Sequence, residues 1–472
     1  MRRITSLVLV MMSLFPACLY ATTTLPPRVR NVLDLRRVPD STLSVYVASL
    51  DSGETVLTWN EEQPRNPASV AKLVTTLVAL DTLGPAYRWK TEAYVLGDVK
   101  GEELDGDLLL KGYGDPFLVT ERVWQMLHKL RESGIRTIDG DLLIDDSFFS
   151  VGDYDPAAFD HEPLRAYNVA PNALLTNFKV VRYYFEPDLQ ASAVRVRMDP
   201  PLENLRIVNK LSIADGACRG YQRGISITPN AVFNRVVFSG KFPSGCKSYA
   251  MDRSVLDHNS YTYGLFKAVW QESGGEIKGG WRPALAPQHG EPFLVFESLP
   301  LEEVISKVNK HSNNVMARQL LYTLSAERLG APGTEQGGRQ VILQWLEEHN
   351  LADQTLQLDN GAGLSRDARM TAKQLGQMLR FAYSKPYMPE YVSSLALSGL
   401  DGTLERRFRD GTLTGKAHIK TGSLDDVNAI AGYFQSRSGE RFVIVALQNY
   451  RDIHRGPGEE VQEALLRWLN EQ

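Results

Sequence analysis

Three short pieces of this 472-residue chain carry groups that could do chemistry together: Ser69-Val70-Ala71-Lys72, Ser312-Asn313-Asn314 and Lys420-Thr421-Gly422-Ser423. They supply two serine hydroxyls, two amines and a carboxamide, the parts for acyl transfer through a serine ester. A hydroxyl is a poor nucleophile until a base removes its proton, and Lys72 is the nearest candidate to Ser69. An ordinary lysine is protonated at neutral pH. Lys72 can act only if burial and a nearby positive charge, for which Lys420 is the candidate, depress its pKa.

Spacing and setting single out these pieces from chance matches. Ser69 follows the polar, proline-containing stretch Gln63–Ala68 and precedes the apolar run Leu73–Leu80, which predicts a buried helix with Ser69 at its N-terminus and Lys72 on the same face one turn on. A serine there also sits among unpaired backbone N–H groups, where negative charge is stabilised. A second S-x-x-K, Ser244-Gly245-Cys246-Lys247, follows Pro243 and reads as a loop. Lys420-Thr421-Gly422 lies in one of three neighbouring strand-like runs ending near Leu447, and a glycine in such a strand allows close approach of another backbone or a ligand. Leu43–Leu50 and Thr55–Trp59, flanking Asp51-Ser52-Gly53-Glu54, read as a hairpin.

In this order the three motifs resemble those of the penicillin-recognising serine peptidases and serine β-lactamases, S-x-x-K, S-x-N and K-T-G. About 240 residues separate Lys72 from Ser312, room for a large insertion. This is similar to the class C, type-4 penicillin-binding proteins, the D-alanyl-D-alanine carboxypeptidase/endopeptidase family. Lys111–Pro116, Asp359–Arg366 and Leu397–Leu404 match that family as well.

The resemblance implies an α+β fold: a catalytic domain with an antiparallel sheet flanked by helices, and an inserted region forming two smaller β-rich accessory domains. It implies hydrolysis of D-Ala-D-Ala or D-Ala to diamino-acid bonds in peptidoglycan stem peptides and cross-links, with β-lactams as covalent inhibitors and no cofactor or metal. Ser69, Lys72, Ser312 and Lys420 would be catalytic, and Asn314, Thr421, Gly422 and Ser423 would bind substrate. An acidic residue of the insertion would reach the pocket; Asp160 and Glu162 both qualify. Ser423 stands where the family commonly has threonine, which keeps the hydroxyl.

Composition fits an exported enzyme. Arg2-Arg3, the apolar run Ile4–Phe15 and small residues at Ala17 and Ala21 read as a signal peptide over 1–21, too short for a membrane span. Cleavage after Ala21 implies the periplasm; Cys18 offers a lipoprotein alternative. Removal takes the formal charge from −4 to −6, so the mature chain has no general attraction for nucleic acid. Cys218 and Cys246 then suggest one disulfide, two buried free thiols being the alternative.

Length argues for several domains. The expected division is 22–88 with 289–472 as the catalytic domain, 89–172 with 263–288 as one accessory domain and 173–262 as a second, β-rich one. Leu104–Leu109 and Ile138–Leu143 echo each other, and each reads as a turn feeding a buried strand. The last helix carries Val461, Ala464, Leu465, Trp468 and Leu469 on one stripe. It lacks a basic face for a membrane, so packing on the catalytic sheet is expected, with no transmembrane span in the mature chain and a loose membrane or cell-wall association left open. Two other classes of reading remain. A β-lactamase would need efficient deacylation, yet no E-x-x-x-N lies between Lys72 and Ser312. A non-catalytic peptidoglycan-binding protein would have no need of the complete catalytic set. No G-x-S-x-G elbow occurs, and His161-Glu162-Pro163-Leu164-Arg165 starts like a zinc motif but ends in arginine.

Overall fold

The computed structural model describes residues 22–220 and 224–472. The expected signal peptide and Cys18 lie outside the described residues. Three sheets organise the chain. The first has six strands in the order Ala396–Leu397, Ala417–Leu424, Val427–Gln435, Arg441–Asn449, Leu43–Ser49 and Thr55–Trp59, all antiparallel. The N-terminal hairpin thus closes onto the last strand of the chain, with Leu43 opposite Gln448.

Strand alternation explains why this sheet has a layer on each face. In Arg441–Asn449, Val443, Val445 and Leu447 join one buried cluster with Leu77, Leu320 and Leu375, contributed by helices Lys72–Leu83, Asn314–Leu329 and Ala372–Tyr383. Phe442, Ile444 and Ala446 join the opposite cluster with Val29 and Leu33 of helix Pro27–Arg36. The C-terminal helix, Pro457–Leu469, packs there too: Val461, Ala464, Leu465 and Leu469 are buried, and Trp468 sits half-buried at the edge. Its apolar stripe is therefore consumed by the sheet.

The second sheet has seven strands. Residues 89–172 and 263–288 supply six of them, and Leu294–Glu297 pairs antiparallel with Lys90–Lys100 from beyond the expected boundary at 289. Cross-strand pairing there is longer-ranged than any local composition change. The two echoing segments lie side by side in parallel, with Leu104 opposite Ile138 and Leu108 opposite Leu142. The first is not a turn: it runs inside the strand Glu103–Gly112, because Lys90–Lys100 pairs along its whole length. The two segments pack so closely that a Cβ on Gly140 would stand 2.5 Å from the Gly106 carbonyl oxygen.

The third sheet, six strands between Val181 and Arg253, carries the Cys218–Cys246 disulfide, and the second S-x-x-K lies in a turn there as read from sequence. Phe185 and Phe238 share one buried cluster with Leu108, Leu127 and Trp270, so both accessory sheets bury their apolar faces against common helices.

Candidate active site

Ser69 sits in a 3₁₀ turn, Ala68–Ala71, that runs directly into the helix Lys72–Leu83. The nucleophile candidate therefore precedes the α-helix by one turn, a displacement from the predicted N-terminus. Lys72 is fully buried, and its Nζ lies 2.9 Å from Ser69 Oγ, 2.6 Å from Asn314 Oδ1 and 2.5 Å from the Ala362 carbonyl oxygen. The last two oxygens can only accept hydrogen bonds. A neutral amine has two N–H groups and one lone pair, so donation to both leaves the lone pair for the Ser69 hydroxyl proton. The packing thus aims that lone pair at Ser69 Oγ.

The same surroundings set its charge. Burial pushes the Lys72 amine well below the usual range, and the positive charges of Lys420 and Arg318 push it further the same way. Arg318 is itself buried, one helical turn beyond Asn314, and donates to the carbonyls of Tyr167 and Val169 at 2.9 and 3.1 Å. It has no carboxylate against it in these contacts, so its charge is felt by Lys72.

Ser312 ends the helix Leu301–His311 in a left-handed conformation, φ 55°, and Asn313 caps the next helix by accepting from the Met316 N–H at 3.0 Å. That sharp break between two helices turns Ser312 and Asn314 toward the same space. Lys420 Nζ donates to Ser312 Oγ at 2.8 Å and to the Thr421 carbonyl at 2.7 Å. Burial lowers the Lys420 pKa to about 7. Two buried amines, each bonded to a serine hydroxyl, therefore stand close enough for the charge of one to depress the other.

The strand Ala417–Leu424 brings the third motif. Its neighbour Ala396–Leu397 covers only Ile419 and His418, and beyond that no strand among the described residues pairs with this edge. Residues 420–424 keep an edge onto which an extended peptide can add. Gly422 is where the strand meets the nucleophile turn: a Cβ there would stand 2.6 Å from the Pro67 carbonyl oxygen and 3.1 Å from the Ser69 nitrogen. Any side chain would push Ser69 away.

A cleft of about 1260 Å³ is lined by Ser69, Ser312, Asn314, Ser423, Asp160 and Arg366, among others. Of the two acidic candidates only Asp160 lines it. Its carboxylate accepts from the Tyr167 hydroxyl at 2.7 Å and Asn168 Nδ2 at 2.8 Å, contacts that hold it below the usual carboxylate range against its burial. Glu162 instead pairs with Arg165 at 3.5 Å on the exposed surface. Arg366 lies over the Phe159 ring at 4.9 Å, on the same cleft as Asp160.

Several contributors were not singled out from sequence. The Ala362 carbonyl, Arg318, Arg366 and Thr403 are the main ones, and Thr403 Oγ1 lies 2.8 Å from Thr421 Oγ1. Asp401 anchors the Thr403 loop by accepting from Lys310 Nζ at 2.5 Å and the Leu397 N–H at 2.7 Å. A Cβ on Gly402 would stand 2.6 Å from the Lys310 carbonyl oxygen. The signal was present in part: Asp359–Arg366 and Leu397–Leu404 stood out as segments, but a backbone carbonyl and a loop threonine have no distinctive spelling.

Comparison with known proteins follows this geometry. A model of the D-Ala-D-Ala carboxypeptidase 3 (S13) family matches residues 28–472. The chain is 24% identical to the D-alanyl-D-alanine carboxypeptidase DacB of Haemophilus influenzae, over 89% of this chain and 88% of that one. It is 28% identical to a D-alanyl-D-alanine carboxypeptidase of Actinomadura sp. strain R39, over 90% and 81%. Among solved structures, penicillin binding protein 4 (dacB) from Haemophilus influenzae superposes with a TM-score of 0.80 at 21% identity, covering 94% of this chain and 99% of that one. The Bd0816 predatory endopeptidase of Bdellovibrio bacteriovorus gives 0.55 at 16% identity, covering 91% and 93%.

Proposed function

Because the chain belongs to the D-Ala-D-Ala carboxypeptidase 3 (S13) family, we propose that it cleaves the D-Ala-D-Ala bond of peptidoglycan stem peptides, or the D-Ala to diamino-acid bond of cross-links, through an ester on Ser69. The observation that carries the residue roles is Lys72, buried and held by two obligate acceptors with its remaining site on Ser69 Oγ.

In this reading the Ser69 proton passes to Lys72 Nζ as Oγ attacks the D-Ala carbonyl. The N–H groups of Ser69 and Ser423 hold the developing oxyanion; the closeness of Gly422 to the Ser69 nitrogen supports that pairing. The C–N bond then breaks while Ser312 Oγ gives its proton to the leaving amine and is resupplied through Lys420. Water repeats the sequence in reverse and frees the acid. Asn314 orients the substrate amide. Thr421, Ser423 and Thr403 offer hydroxyls to a terminal carboxylate beside Lys420. Asp160 and Arg366 present opposite charges on one cleft, a match for a free amino-acid end carrying an ammonium and a carboxylate.

Export with loss of residues 1–21 would place the enzyme in the periplasm with its polymer. No helix among the described residues is long and apolar enough to cross a membrane. The test is covalent: a fluorescent penicillin should label the purified protein on the tryptic peptide containing Ser69, and mass spectrometry of digested sacculi should show loss of D-Ala or of cross-links. Labelling elsewhere, or unchanged digestion by Ser69→Ala protein, would overturn the assignment. Rapid turnover of penicillin instead of a lasting adduct would favour a β-lactamase.

A further inference from the structure

The cleft that holds Ser69 continues along the helix Thr120–Glu132 and takes in Thr120, Glu121, Trp124 and Gln125. That helix buries Val123, Met126, Leu127 and Leu130 and turns Trp124 to the other side, 46% exposed. A lone exposed apolar residue needs no explanation. Trp124 differs in being braced and bordered. The His128 ring, one turn on, stacks on the indole at 5.0 Å and 6°, and His128 Nε2 stands 3.6 Å from Glu132 one turn further. Arg122 lies over the Phe296 ring at 4.5 Å and donates to Gln125 Oε1 at 2.9 Å, which leaves the exposed Gln125 amide N–H groups turned to solvent. A second hollow of about 570 Å³ shares Trp124 and Gln125 and is bordered by Arg122 and Lys129. The indole therefore stands between two hollows, backed on one face by His128, with the Gln125 amide beside it and the Arg122 guanidinium, which also donates to the Glu297 carbonyl, bordering the second hollow.

We propose that this surface is a saccharide subsite that takes an N-acetylated hexosamine of the glycan to which the stem peptide is joined; it rests on the peptidoglycan reading above. A pyranose ring has one face of C–H groups suited to the negative face of an indole, and hydroxyl and acetamido oxygens at its rim suited to Gln125 and Arg122. A stem of four or five extended residues spans about 14–18 Å, so the sugar must lie well away from Ser69 yet along the same cleft. The continuity of that cleft with the serine selects a glycan over an unrelated protein partner. The subsite would favour polymer-borne stems over free peptides and would hold the strand while the peptide is cut.

The experiment compares kcat/KM for D-Ala release from a disaccharide-pentapeptide and from the free pentapeptide. The unaltered protein should prefer the sugar-bearing substrate about tenfold through KM, on the scale of one stacking contact. Trp124→Ala should bring the ratio to about one, and Trp124→Phe should keep part of the preference. No preference in the unaltered protein, a preference that survives Trp124→Ala, or an equal loss on both substrates would overturn the subsite. Failure to release D-Ala from either substrate would remove the carboxypeptidase half of that reading, and failure to cut a cross-linked muropeptide dimer as well would sink the peptidase reading. The subsite would then be judged by calorimetry of disaccharide-tetrapeptide and tetrapeptide on Ser69→Ala protein, where equal affinities refute it.

Discussion

Lys420→Met should make the protein inactive and, at acid pH, more stable. The Lys420 ammonium is drawn from its ordinary 10.5 down to about 7 by burial. A group whose folded pKa is depressed stabilises the fold least where it is charged in both states, and the deficit is relieved as pH rises from the folded value toward the unfolded one. At 1.36 kcal/mol per unit, the full deficit is about 5 kcal/mol. Linkage leaves nearly all of it at pH 6 and about 2 kcal/mol at pH 9. Against this stand the hydrogen bonds to Ser312 and the Thr421 carbonyl, which the methionine loses; each contributes about 1 kcal/mol. The variant should therefore be more stable by about 3 kcal/mol at pH 6 and nearly level with the parent at pH 9. Lys72 adds in the same direction, because its amine is released from the Lys420 charge when Lys420 is gone. The assay is urea denaturation of both proteins across this range, comparing their difference at each pH so that other titrations cancel. A pH-independent gap, or one that widens toward pH 9, would refute the claim that a charged lysine is held against its preference at this site.

Gly422→Ala should lower the rate of acylation by penicillin on the order of a hundredfold while the protein stays folded, since a Cβ 2.6 Å from the Pro67 carbonyl oxygen must displace the Ser69 turn; stopped-flow acylation checks it, and an unchanged rate would contradict it. Thr403→Val should raise KM about tenfold for peptides ending in a free carboxylate, one hydrogen bond to a charged group being lost, and an unchanged KM would contradict that role. Arg318→Met removes a positive charge that lowers the Lys72 pKa, so more of the base is protonated at a given pH. The acid limb of the acylation profile should move to higher pH, with the plateau of the profile serving as the internal reference.

What could be read from the chain alone was chemistry carried by side chains at fixed local spacing. Ser69 and Lys72 are three residues apart and meet at 2.9 Å because one helical turn brings them together. The N-terminal hairpin and the three neighbouring strands of the first sheet, the apolar run after Lys72 and the stripe of the last helix were likewise legible, since their periods are set within a few residues. The residue types also pointed to the need for a base and to the Lys72 amine as the nearest candidate. Only the tertiary structure decided which way that amine points and what its charge is. The acceptor that orients it is the backbone carbonyl of Ala362, 290 residues away, and every residue has such a carbonyl. The charge that helps neutralise it belongs to Arg318, which looks in sequence like any helical arginine. Asp160 and Glu162 are indistinguishable by spacing, yet one faces the cleft and the other the solvent. Side-chain identity is a local property; direction, burial and field depend on which distant segments the fold places alongside.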